Sequence, residues 1–167
     1  MRIEPGRYDV WPDFSLQVNT PLEFLAGSRY HLQGPNGSGK SSFLTRVLLP
    51  RLRSRTDIYV LYFEQQMRYQ LPAIKAYASL LPPHRLIEKE ADAVRYLLDD
   101  LLASVKQESR PVYVLMDESP QALVIRDFLS DKLPSACLVL SAHTELVPAR
   151  PILFTPLSSI LSEVSLP

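Results

Sequence analysis

Eight consecutive residues restrict this chain more than anything else in it: Gly34-Pro35-Asn36-Gly37-Ser38-Gly39-Lys40-Ser41. They satisfy G-x-x-x-x-G-K-[ST], a phosphate-binding loop that joins a strand to the start of a helix. Glycine lets the backbone curl so that successive N–H groups point inward at an anion. Lys40 is placed to reach the β- and γ-phosphates of a nucleotide, and Ser41 to offer its hydroxyl to Mg²⁺. The flanks fit that context. Arg29-Tyr30-His31-Leu32-Gln33 reads as a short strand, and Ser42-Phe43-Leu44 continues as a helix whose N-terminus favours negative charge. The expected nucleotide contacts are Gly34, Asn36, Gly37, Ser38, Gly39, Lys40, Ser41 and Ser42.

At 167 residues, with 46% hydrophobic and 22% charged residues, the chain reads as one soluble domain spanning 1–167. Its 18 basic and 18 acidic residues cancel, so there is no electrostatic case for nucleic acid as the main partner. The local cluster Arg46, Arg51, Arg53 and Arg55 reads as cations favoured near a helix C-terminus. The single cysteine, Cys137, sits in an apolar run and fits a reducing, cytoplasmic setting. No signal peptide and no membrane-length apolar run is seen, so a membrane would be met only through a partner.

Glycine occurs only at positions 6, 27, 34, 37 and 39, which leaves proline to punctuate the rest. Residues 13–18 and 22–25 read as short antiparallel strands ahead of the loop. The loop's helix is expected to stop at Leu49, before Pro50. Asp57–Phe63, Pro111–Met116 and Ala136–Ser141 read as buried strands, and Ile152-Leu153-Phe154 as a short last one. Helices are expected over Leu71–Leu81, Arg85–Gln107 and Gln121–Leu129. In the longest, Ile87, Ala91, Val94, Leu98, Leu101 and Val105 recur at spacings of three and four. Strands alternating with helices predict an α/β fold with a mainly parallel sheet, helices on both faces.

The strand Val112–Met116 runs into Asp117-Glu118. Such a strand carries its terminal acid to the carboxyl edge of the sheet, beside the phosphate loop, where Asp117 can hold Mg²⁺. A carboxylate at Glu118 can take a proton from an attacking water. The chain here resembles an ABC-type ATPase. Gly34–Ser42 is similar to that family's Walker A, Tyr62-Phe63-Glu64-Gln65 to its Q-loop, Leu115–Glu118 to its Walker B with catalytic glutamate, and Leu140-Ser141-Ala142-His143 to its switch histidine. The resemblance implies a P-loop NTPase fold, with Gln65 on Mg²⁺ and the attacking water and His143 on the γ-phosphate. Gln66 is the alternative to Gln65. It also implies an aromatic platform for adenine, for which Tyr8 and Trp11 are both candidates.

The resemblance is incomplete. The family's Leu-Ser-Gly-Gly-Gln signature requires glycines, and none follows Gly39. The interval between Gln65 and Asp117 implies a reduced helical subdomain. The expectation is an ATPase that uses ATP and Mg²⁺ and acts in a larger assembly, a partner or dimer mate completing its site. Two alternatives stand beside it: a small P-loop kinase, and an ATP-sensing module that does not hydrolyse.

Overall fold

The hydrophobic runs that alternate with loops assemble into one mixed α/β sheet. The computed structural model describes residues 1–80, 86–142 and 148–167. The strands are β1 (Arg2–Ile3), β2 (Gly6–Trp11), β3 (Phe14–Val18), β4 (Leu22–Glu23), β5 (Arg29–Gln33), β6 (Tyr59–Phe63), β7 (Val112–Asp117), β8 (Cys137–Ser141), β9 (Arg150–Ser158) and β10 (Leu161–Ser165). The helices are α1 (Lys40–Ser42), α2 (Leu49–Arg53), α3 (Leu71–Leu80), α4 (Glu90–Gln107) and α5 (Ala122–Lys132). A π-helical stretch, Phe43–Leu48, fuses α1 and α2 into one rod.

Eight strands form a sheet in the order β2-β3-β10-β9-β5-β8-β7-β6, and β1 pairs with β4 outside it. From β9 to β6 all neighbours are parallel. The other half is mixed: β9–β10 and β2–β3 are antiparallel, whereas β10–β3 is parallel. The sheet is therefore mostly parallel. The two early segments expected to form an antiparallel opening do not pair with each other: β3 pairs with β2 and β10, and β4 with β1 outside the main sheet.

Alternation along β7 sends side chains to two cores. Tyr113 and Leu115 join Phe43, Leu44, Val47 and Leu48 of the loop's rod on one face. Val112, Val114 and Met116 join Ile74, Val94, Leu98 and Ile125 of α3, α4 and α5 on the other. Each such fully buried aliphatic or aromatic side chain contributes roughly 1.5–3 kcal/mol of transfer free energy. Phe43 meets Phe154 edge-on at 5.6 Å, which fixes the rod against β9.

Three expectations are corrected. The rod does not end at Leu49. The Leu49 N–H bonds to Leu44 O, five residues back, so the helix changes register and Pro50, which has no N–H, falls in the first turn of α2. The long helix starts at Glu90, not Arg85, because the Asp92 carboxylate accepts from Lys89 N–H at 3.0 Å and caps it there; Arg85 itself lies outside the described residues. The last strand is nine residues long and turns back into β10, which the sequence did not suggest. No helix among the described residues is long and apolar enough to cross a membrane.

Gly34 is where the loop meets the sheet. A Cβ there would lie 2.4 Å from Phe154 O and 2.9 Å from Ser38 Oγ, at a φ of +155°. Gly37, at φ +76°, has open space around it. Gly34→Ala is expected to lower the unfolding free energy by about 2–4 kcal/mol. Gly37→Ala, which carries only backbone strain, is expected to cost about 1 kcal/mol. Urea denaturation of the two variants checks the contrast; equal losses would mean that Gly34 is not pressed against β9.

Candidate functional site

Chain direction decides where a site can form. The strands from β9 to β6 are all parallel, so their carboxyl ends share one edge of the sheet. The glycine loop follows β5 at that edge, and Asp117 ends β7, on the far side of β8. In register, Asp117 lies opposite Ser141 at the end of β8.

The loop is held by its own polar groups. Lys40 is 6% exposed, and its Nζ donates to Gly34 O at 2.8 Å and Pro35 O at 2.9 Å. That occupies two of the three ammonium donors. Ser38 N–H donates to Pro35 O at 3.3 Å, and the Ser38 hydroxyl is buried without a hydrogen-bond partner among the described residues. Ser41 Oγ donates to Asp117 Oδ1 at 2.9 Å. Gln65 Nε2 donates to Glu118 Oε2 at 3.0 Å. Glu118 N–H donates to Ser141 O at 2.8 Å, and Glu118 holds φ at +43°. It is the one non-glycine among the described residues with a positive φ, a conformation kept only where surroundings enforce it.

A cleft of about 470 Å³ lies over these groups, lined by Asn36, Gly37, Gly39, Lys40, Ser41 and Ser42 of the loop and by Trp11, Gln65 and Glu118. Its size is that of an ordinary small-ligand pocket. Gly34 and Ser38 brace the loop from beneath. Gln66 turns elsewhere, its Oε1 accepting from Arg68 at 2.9 Å, so Gln65 is the glutamine that meets Glu118. Trp11 donates from Nε1 to Ser42 Oγ at 2.9 Å, with the Arg46 guanidinium 4.3 Å from its ring centre. Tyr8 is not among the lining residues. Its hydroxyl donates to Glu4 O at 2.6 Å and its ring carries Arg51 at 5.0 Å. His143 lies outside the described residues. Sequence reasoning missed Phe14, which lines the cleft from β3, and Arg46, which covers Trp11. Both depend on β2 and β3 lying over the rod, a placement that no local pattern encodes.

The donor chemistry suits a hard cation. A serine hydroxyl and a carboxylate already share one hydrogen bond, and both are oxygen ligands of the kind that Mg²⁺ takes. Among the described residues no cluster of three or more His, Cys, Asp or Glu could hold a metal alone. The remaining ligands of a cation here would therefore come from a bound ligand, water or Gln65.

Burial raises the Asp117 carboxyl pKa above its ordinary value, and the Glu118 charge adds to this; the hydrogen bond from Ser41 and the Lys40 charge oppose it. A raised native pKa means that the folded protein holds this proton more tightly than the unfolded chain. Stability is lost as pH rises through the raised value, so the ionised carboxylate is a burden at neutral pH. Asp117→Asn is therefore expected to unfold at higher denaturant than wild type at neutral pH. The gain should shrink on acidification, as the native carboxyl takes up its proton. Denaturation midpoints at neutral and acid pH check this; a less stable Asp117→Asn at neutral pH would contradict it.

No protein-family model matches the chain, and no characterised protein matches it at a significant level.

Proposed function

We propose that this chain binds ATP and hydrolyses it with Mg²⁺, as the ATPase subunit of a larger assembly of the ABC type. The observation that carries the reading is convergence. Lys40, Ser41, Gln65 and Glu118 line a single cleft at the carboxyl edge of the parallel strands, with Asp117 hydrogen-bonded to Ser41 and Glu118 to Gln65. A glycine-bearing loop with these partners suits a polyphosphate better than any neutral ligand.

The residues divide the work. Lys40 exchanges one or more carbonyl partners for β- and γ-phosphate oxygens, and neutralises charge there. Backbone N–H groups of the loop that face the cleft add further donors. Ser41 and Asp117 would hold Mg²⁺, which would supply positive charge against the phosphates. Glu118 accepts the proton of the attacking water, and Gln65 positions Glu118 and that water. Trp11, half-exposed and lining the cleft, is the candidate base platform; Tyr8 is not among the lining residues.

The absence of glycine beyond Gly39 argues for a partner. The γ-phosphate side needs donors that this chain does not supply in the family's usual form. The setting proposed is cytoplasmic, consistent with one buried cysteine.

Lys40→Ala is expected to lose Mg²⁺-ATP binding in calorimetry while keeping its fold. Glu118→Gln is expected to bind ATP as wild type does and to release phosphate at least ~100-fold more slowly. Wild-type turnover by Glu118→Gln would remove Glu118 as the base. Phosphate release by the isolated wild-type chain should be slow and should rise when its native partner is added. Fast release strictly proportional to enzyme at nanomolar concentration would instead describe a self-sufficient monomer.

A further inference from the structure

A second cleft, of about 450 Å³, lies at the other end of β5 and β9 from the glycine loop. Tyr30 pairs with Arg150 at the amino ends of these parallel strands, whereas Gln33 pairs with Leu153 at the loop end. The floor is apolar and packed: Tyr30 is 3% and Ile152 1% exposed. The walls include two leucines left open to solvent, Leu25 and Leu166, each 47% exposed. Exposed leucines scattered singly need no explanation. Two of them flanking one recess above a buried aromatic ring leave a run of apolar contact unfilled.

Charge at the rim selects the ligand. Arg2, Glu23 and Arg150 stand there. Arg2 is already paired, with Glu4 at 2.9 Å and Glu23 at 3.4 Å. Arg150 is exposed and pairs with no carboxylate among the described residues. Among the described residues, one cation is thus left over above an apolar recess. A guanidinium offers two parallel N–H donors, which match the two oxygens of a carboxylate. At ~30 Å³ per water-sized group, the recess holds about fifteen such groups.

We propose that this cleft binds a small amphipathic carboxylate. The apolar body lies over Tyr30 and Ile152 between Leu25 and Leu166, and the carboxylate sits on Arg150. The site is at the edge of the sheet opposite the phosphate loop and does not depend on the nucleotide reading.

The probe is octanoate, with 1-octanol as its uncharged match, followed by amide chemical shifts in two-dimensional NMR. Octanoate is expected to shift the amides of Leu25, Tyr30, Ile152 and Leu166 saturably, while those of 34–41 stay in place. Octanol should bind more weakly. Arg150→Gln should weaken octanoate about tenfold and leave octanol unchanged. Leu166→Glu, a change at an exposed position, should abolish octanoate binding through like charge in the recess. Three results would each overturn the proposal: shifts that never saturate or that spread over the whole surface, octanol binding as tightly as octanoate, or unaltered octanoate affinity in Arg150→Gln.

Discussion

A hydrogen bond of 2.9 Å from Ser41 to Asp117 joins positions 76 apart in the chain, and the rest of the site is arranged around it. It exists because a parallel sheet sends all its carboxyl ends to one edge. The loop after β5 and the acid that ends β7 are then separated only by β8. Burying Asp117 raises its pKa and destabilises its charged form, which the Ser41 hydroxyl and the Lys40 charge partly offset. A cation between Ser41 and Asp117 would remove that burden. The strain at the site and the chemistry proposed for it thus have one origin.

The antiparallel half of the sheet has its own part in this arrangement. β9 supplies Phe154, whose carbonyl leaves room for glycine alone at Gly34. β10 returns the chain to β3, and β2 then lies at the sheet edge with Trp11 over Ser42 and Arg46. The rod that follows the loop is packed so fully that Phe43, Leu44, Val47 and Leu48 are all about 1% exposed or less. Its π-helical turn lets those four side chains and Pro50 share one continuous helix. Rigid seating of this kind is what a preorganised anion site requires.

Much of this was legible in the sequence because it is local. The loop, the acid pair after β7 and the glutamine after β6 each follow a strand whose apolar run is unmistakable, and direction along the chain fixes their edge. The choice between Gln65 and Gln66 was not legible, since it turns on which side chain Arg68 engages. Nor was Tyr8 separable from Trp11. A bulge between Asp9 and Trp11 shifts the register of β2 and sends the two rings to different neighbours. β10 was hidden because Ser162 and Val164 bury beside polar Glu163 and Ser165, a pattern that reads as loop until β3 and β9 pair with it. The ends of helices erred where a single polar contact decides them, as Asp92 does at Glu90.

Trp11 is the only tryptophan in the chain and lines the proposed nucleotide cleft, so its fluorescence reports on that site alone. Titration with Mg²⁺-ATP, corrected for absorption by the nucleotide, is the most direct measurement of the central claim. The account predicts a saturable change in emission that disappears in Lys40→Ala and weakens when Mg²⁺ is withdrawn. Emission indifferent to millimolar Mg²⁺-ATP, or a change that survives intact in Lys40→Ala, would contradict it.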